Sequence, residues 1–244
     1  MYKYYLDFFA LMVFVACWAG YTWFAKKRAK TDDCIARCLH QHRIHWMYEV
    51  MERDFRMVEA GLLANLERNI SFFASTTLLV LAGVLTLFSQ VEKLEQVIAS
   101  IPFTETPDHG LIQIKLCVLV VIFVMAFFHF TWSMRQYGFL NVMIGAAPYS
   151  LNGPQENHKK YARQMATVQD QAAHTYNYGL RAYYFSIAAM LWFFHPLLLI
   201  FVSLLVVFTL FNREFRSKSV KAITAGQLIL NEERDRKGKT SFNE

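Results

Sequence analysis

The stretch Leu111-Ile112-Gln113-Ile114-Lys115-Leu116-Cys117-Val118-Leu119-Val120-Val121-Ile122-Phe123-Val124-Met125-Ala126-Phe127-Phe128-His129-Phe130-Thr131 decides the fold. A helix needs roughly 20 mostly apolar residues to cross ~30 Å of hydrocarbon, and this stretch has that length. Lipid offers no hydrogen bonds to the backbone, so a chain crossing it satisfies its own N–H and C=O groups as a helix. Three further blocks read the same way: Tyr4–Ala25, Ile70–Gln90 and Tyr183–Phe211. The expectation is an all-α membrane protein, a bundle of transmembrane helices with a helical cytoplasmic extension.

Composition agrees. With 55% hydrophobic residues and only 5 Pro and 10 Gly, the chain is neither disordered nor collagen-like. The net charge of +6 would suit a nucleic acid. The basic residues crowd beside the apolar blocks, however, which is the positive-inside pattern, so the expected partner is membrane lipid and not nucleic acid. Lys and Arg number nine in 26–69, four in 132–178 and eight in 212–244. The loop 91–110 holds only Lys93 against four acidic residues and is expected outside.

The N-terminus lacks a basic n-region, and its apolar run ends in Lys26-Lys27-Arg28-Ala29-Lys30, which reads as a stop-transfer anchor rather than a cleavable signal. An outer N-terminus and an inner basic tail require an odd number of spans. Trp192-Phe193-Phe194-His195-Pro196, at the middle of the last block, supplies the turn. Five spans are expected, near 4–25, 70–90, 111–131, 180–194 and 196–211. The alternative is four, the last being one long helix kinked at Pro196.

The cytoplasmic helical regions are placed at 31–69 and 154–178, and the tail at 212–244, loosely ordered beyond Ala225. Thr31-Asp32-Asp33 is a candidate helix start. No Pro and only Gly61 and Gly83 occur between Thr31 and Ser100, which predicts one helix of ~85 Å running into the second span, weakest at Gly61. Ile44, Tyr48, Met51, Phe55, Val58 and Leu62 form its apolar stripe. Tyr161, Met165, Val168, Ala172 and Tyr176 form a second, and the two stripes can bury one another.

Within the second span, Asn65, Asn69, Thr76, Gly83 and Gln90 fall within ~60° of one another on a helical wheel, with Ser75 beside them. The arc through Phe73, Val80, Leu81, Val84, Leu85 and Phe88 suits lipid. The polar stripe lines a water-filled path or packs against another helix, since small and hydroxyl residues serve both ends. His129, near the inner end of the third span, is a path residue or a neutral hydrogen-bonded imidazole, and Lys115 can snorkel to the outer surface. Arg181 reads as an inner-leaflet anchor or a buried partner of Asp170. Cys34, Cys38, His42 and His45 share one helix face. Their atom types suit zinc or copper, yet a straight helix cannot close all four on one ion, so they are weak metal candidates beside the reading of a polar helix face. No disulfide is expected, because no pair of the four cysteines falls in an oxidising compartment. No phosphate loop, nucleophile elbow or HExxH motif occurs, so neither enzyme activity nor a cofactor is expected.

Arg68-Asn69-Ile70-Ser71-Phe72-Phe73-Ala74-Ser75-Thr76-Thr77, Phe130-Thr131-Trp132-Ser133-Met134-Arg135-Gln136-Tyr137 and Gly179-Leu180-Arg181-Ala182-Tyr183-Tyr184-Phe185 resemble the signature stretches of a bacterial multi-pass membrane family, domain of unknown function 599. The resemblance runs from about Tyr4 to Ser219. It implies a helical protein of the bacterial inner membrane and carries over no activity or site. The Cys34–His45 face lies outside those stretches. The functional expectation is a homo-oligomeric channel or transporter for a small ion or solute, its path lined by Asn65, Asn69, Ser75, Thr76, Gly83, Gln90 and His129. The rival is a non-conducting scaffold that binds a partner through its cytoplasmic helices.

Overall fold

A computed structural model describes residues 2–28, 34–53, 55–100, 108–148 and 156–240, with 2–3 and 233–240 described by backbone alone. The helices are α1 (Tyr2–Arg28), α2 (Ile35–Glu52), α3 (Met57–Phe88), α4 (Val91–Ala99), α5 (His109–Ala146), α6 (Glu156–Leu191), α7 (Pro196–Phe211) and α8 (Lys218–Thr240). A π-helical turn, Asn212–Arg216, precedes α8. No strand occurs among the described residues. Four segments are long and apolar enough to cross a membrane: Tyr4–Arg28, Met57–Phe88, His109–Ala146 and Pro196–Glu232.

The chain forms two compact units. The first contains Met1–Phe24, Leu66–Met134 and Thr175–Thr209. Its core packs Phe14 of α1, Leu116, Ile122 and Phe123 of α5, Phe185 of α6 and Leu199 of α7, all buried. Phe14 meets Phe185 edge-on at 5.7 Å, and Trp18 stacks on the same ring at 5.5 Å. Along α6, the buried residues Ala182, Ser186, Ala188 and Ala189 are small, which lets neighbouring helices approach closely.

The last apolar block is broken where the aromatic-Pro cluster predicts. Helix α6 ends at Leu191, and Pro196 takes the first position of α7, where its missing N–H costs nothing. The Leu197 N–H donates to His195 Nδ1 at 3.1 Å and so closes the turn. The block is therefore two helices, α6 and α7, joined through Trp192–His195. The regions expected separately at 154–178 and 180–194 are instead one helix, α6, ~54 Å long.

The second unit contains Ala25–Asn65, Arg135–His174 and Leu210–Glu244. As the stripes predict, Met51 of α2 and Met165 and Ala172 of α6 are buried, and Arg163 Nε donates to the Tyr48 hydroxyl at 3.0 Å.

Three expectations require correction. The single long helix is interrupted: α2 ends at Glu52, α3 begins at Met57, and Arg53, Phe55 and Arg56 between them are not helical. The cause is Arg56, not Gly61. Its guanidinium donates to the carbonyls of Val50 (3.2 Å), Ile144 (2.7 Å) and Ala147 (2.8 Å), capping the C-termini of α2 and α5, whose last carbonyls lack helical partners. Past this break Phe55, Val58 and Leu62 are exposed instead of packed. Asp54 and the expected cap Thr31-Asp32-Asp33 lie outside the described residues.

The tail beyond Ala225 is not loose but continues α8 to Thr240. Val220 is buried, and Ile223 and Thr224 face α2, which gives the helix a docking stripe. Finally, the arc assigned to lipid on the second span is mixed: Val84 is buried, Phe73, Val80, Leu81 and Phe88 are half-buried and Leu85 is exposed, while the polar stripe turns outward. The reason is Thr77, whose hydroxyl pairs with that of Tyr183 at 2.8 Å and sets the rotation of α3.

Candidate functional site: a buried charge pair and its surroundings

Asp7 is the single charged residue in Tyr4–Ala25, and Lys115 the single Lys, Arg, Asp or Glu between His109 and Met134. These two lone charges meet in the first unit. Lys115 Nζ lies 3.5 Å from Asp7 Oδ1 and donates to the Trp192 carbonyl at 2.8 Å. The Trp192 indole Nε1–H donates to the same Asp7 oxygen at 2.6 Å. Asp7 is 2% exposed and Lys115 7%. The other oxygen, Asp7 Oδ2, is buried with no hydrogen-bond partner among the described residues.

Each element supplies its part for a local reason. Trp192 follows the last residue of α6, so its carbonyl is an orphan of a helix C-terminus, and an ammonium there is favoured by the helix dipole. Lys115, the seventh residue of α5, is itself buried and is long enough to reach that carbonyl. Chemically the triad is a carboxylate with one oxygen engaged and one free, compensated by an amine that has a second acceptor. The free oxygen can take a proton or a small cation. The amine can leave the carboxylate without losing its last partner.

The residues expected to line a path sit elsewhere. Asn65, Asn69, Ser75 and Gly83 are exposed along α3, and Thr76 is half-buried. Gly83 has open space over it. Gln90 is not on this helix but in the turn before α4. The Thr76 hydroxyl donates to the Phe72 carbonyl of its own helix at 2.8 Å. His129 packs against the Tyr178 ring, centroids 5.7 Å apart.

A second charge cluster lies in the second unit. Asp170 Oδ1 accepts from Arg43 Nη1, while Asp170 Oδ2 faces His174 Nε2 at 3.3 Å and His40 Nδ1 at 3.6 Å. Burial pushes the Asp170 carboxyl up. The hydrogen bond and charge of His174, with the charges of Arg43 and His40, outweigh it and hold the group below the usual carboxylate range. The partner of Asp170 is therefore Arg43. Arg181, the candidate from sequence, packs over the rings of Tyr21 and Tyr178 at 5.1 and 5.6 Å.

The Cys/His face of α2 meets α8. Cys38 Sγ is 3.3 Å from the Thr224 hydroxyl, and His42 Nε2 is 3.0 Å from the Ile223 carbonyl, so that nitrogen carries the proton. His45 stands edge-on to Tyr48. Burial pushes the Cys34 thiol up, which disfavours the thiolate that a metal needs. Among the described residues, no three His, Cys, Asp or Glu side chains converge to hold an ion.

Residues from each of the three quoted signature stretches meet in the first unit. Phe73 stacks on Phe130 at 5.5 Å, and Tyr183 stands edge-on to Phe73 and Phe123. Gly179 lies under the Phe130 ring so closely that a Cβ would fall 2.6 Å from it. A family model described as protein of unknown function, DUF599, matches residues 9–219. The chain belongs to this family. No curated protein and no solved structure matches the chain.

In this DUF599 chain the signature residues Phe73, Thr77, Phe130, Gly179 and Tyr183 are thus packing partners of one another. Asp7 lies outside the signature stretches, and taken alone it is one polar residue in an apolar span. The available signal was that two spans each held a single charge, of opposite sign.

Proposed function

We propose that the protein is an integral membrane transport protein for a small ion or solute. In this reading it crosses the bacterial inner membrane five times, through α1, α3, α5, the Thr175–Leu191 part of α6, and α7. Its N-terminus is periplasmic and its C-terminus cytoplasmic. The observation that carries the proposal is the Asp7–Lys115 pair, buried among apolar side chains. A buried ion pair rarely stabilises more than well-packed apolar residues of the same volume. Ionisable side chains within spans, by contrast, mark ion and substrate paths. A cargo cation or proton at Asp7 Oδ2 would weaken the hold on Lys115, which keeps the Trp192 carbonyl. The polar face of α3, being exposed, contributes to a path only where a second copy covers it.

The test is flux from liposomes holding the purified protein, across a panel of monovalent cations, anions and protons. Transport above empty vesicles is expected for the wild type, and its loss in Asp7→Asn and in Lys115→Met. Transport that survives both substitutions would remove the pair from the mechanism. The second reading, a non-conducting scaffold, is favoured by the hydroxyls of Thr76 and Thr86, which bond to carbonyls of their own helix and so need no water. Absence of any flux from correctly folded protein would leave that reading standing.

A further inference from the structure

One oxygen of a buried carboxylate is left over in the first unit, and the groups around it limit what it can take. Asp7 Oδ1 accepts from the Trp192 indole and faces the Lys115 ammonium. Asp7 Oδ2 has no hydrogen-bond partner among the described residues, in a side chain that is almost wholly buried. An ionised carboxylate taken out of water is costly unless its acceptor sites are filled. Asp7 is the sixth residue of α1, Lys115 the seventh of α5, and Trp192 follows the last residue of α6. The three therefore meet only about 9 Å from the ends of those helices, within reach of a proton from water.

We infer that Asp7 Oδ2 binds a proton and excludes metal cations and anions. The proton is then the ion moved in the transport reading above, on which this choice of cargo rests. A metal ion sheds its water only where several oxygens replace it. The side chains facing Asp7 are donors instead: an indole N–H, and an ammonium 3.5 Å away whose charge repels another cation. The Trp192 carbonyl is already taken by Lys115 at 2.8 Å. An anion is turned away by the carboxylate itself. A proton needs one lone pair and no ligand shell, and Oδ2 offers that. The amine is also placed to let go. Its Nζ lies 5.2 Å from the centroid of the Trp192 ring, so it keeps the carbonyl and the ring face when Asp7 becomes neutral.

The step is a proton transfer alone. Hydronium donates to Oδ2, an O–H bond forms and water leaves, with no electron moved. The pair passes from net zero to one positive charge on Lys115, and the reverse step returns the proton to water. Lys115 is the charged group that faces Asp7 from α5. Trp192, at the end of α6, does not titrate, and α1 adds no second charge between Tyr4 and Ala25.

The experiment is infrared difference spectroscopy of the full-length protein in lipid, read at the C=O stretch of a buried carboxylic acid. As pH is lowered, a band should appear reversibly in the wild type. It should be lost in Asp7→Asn and shifted in frequency in Asp7→Glu. At fixed pH and ionic strength, replacing choline by Na⁺ or K⁺ should leave the wild-type band unchanged, a measurement that needs no variant. A carboxylate that stays ionised until the protein unfolds would overturn the proposal, because the pair would then be a fixed structural one. A band that fades as Na⁺ or K⁺ replaces choline would overturn it too, since a metal ion then competes for the oxygen. The band does not depend on flux. A titrating, metal-insensitive Asp7 in protein that moves no ion would keep the proton site while ending the transport reading. Flux of Na⁺ or K⁺ that is lost in Asp7→Asn and moves no protons would do the reverse.

Discussion

The two charge clusters of this protein solve the same problem in opposite ways. In the first unit a carboxylate and an amine are almost wholly buried, share one Asp oxygen and leave the other without a partner. In the second unit Asp170 uses both oxygens, takes one fixed cation and two imidazoles, and stays partly exposed. The first arrangement is held by burial and is costly to disturb. The second is held by several graded contacts, any one of which can be lost. A low-dielectric surrounding makes each remaining charge expensive when its partner goes, and a wet one spreads the cost.

Removing one member of the buried pair should give the largest effect. Lys115→Met leaves Asp7 uncompensated and should cost about 3–5 kcal/mol of stability. Combining it with Asp7→Asn, whose amide oxygen still accepts from Trp192, should recover most of that loss. Unfolding in mild detergent measures both. A double variant no better than the single one would mean that the pair does not act as a unit, and the contrast between the clusters would fall with it.

A mid-sized effect is expected where the first unit depends on shape instead of charge. Gly179→Ala puts a Cβ 2.6 Å from the Phe130 ring. Overpacking of this kind costs about 1–3 kcal/mol, against a gain of about 1 kcal/mol in helix propensity. Phe130→Leu should relieve the Gly179→Ala defect in part. If Gly179→Ala is neutral alone, the ring has room to move, and the aromatic cluster is looser than its centroid distances imply.

Much of this architecture is legible in sequence because lipid-length apolar runs and proline breaks act locally. The helices, the His195-Pro196 turn and the α2–α6 stripes all follow from spacing along one segment. What spacing cannot reveal is which way a helix is rotated. On α3 both arcs are compatible with a membrane, and the choice rests on Thr77 finding Tyr183 more than a hundred residues away. The α2–α3 break is hidden for a similar reason. No Gly or Pro marks it; Arg56 breaks the helix by capping α5, a partner distant in sequence. The charge pair is accessible in principle, because one lone acid and one lone base in separate spans constrain each other, whereas Lys115 taken alone suggests no more than snorkelling.

The smallest effect should come from the second unit and should depend on pH. The folded Asp170 carboxyl titrates below the ordinary carboxylate value of 3.8 that it has in the unfolded chain. Ionised Asp170 therefore contributes stability that is fully present above about pH 4 and is lost as pH falls through the lower folded value. At pH 7, Asp170→Asn should cost about 1 kcal/mol, since the amide keeps one acceptor for Arg43 but loses the charge. Once pH falls below the folded value of Asp170, the wild type and the variant should converge, because the wild-type carboxyl is then neutral as well. Hydrogen exchange of the α2 amides, which Arg43 ties to Asp170, reads this directly. Exchange that is equally fast in wild type and Asp170→Asn at pH 7 would show that α2 is held by Met47, Met51 and its contacts with α8 alone. The second cluster would then be a solvated network without energetic weight, unlike the first.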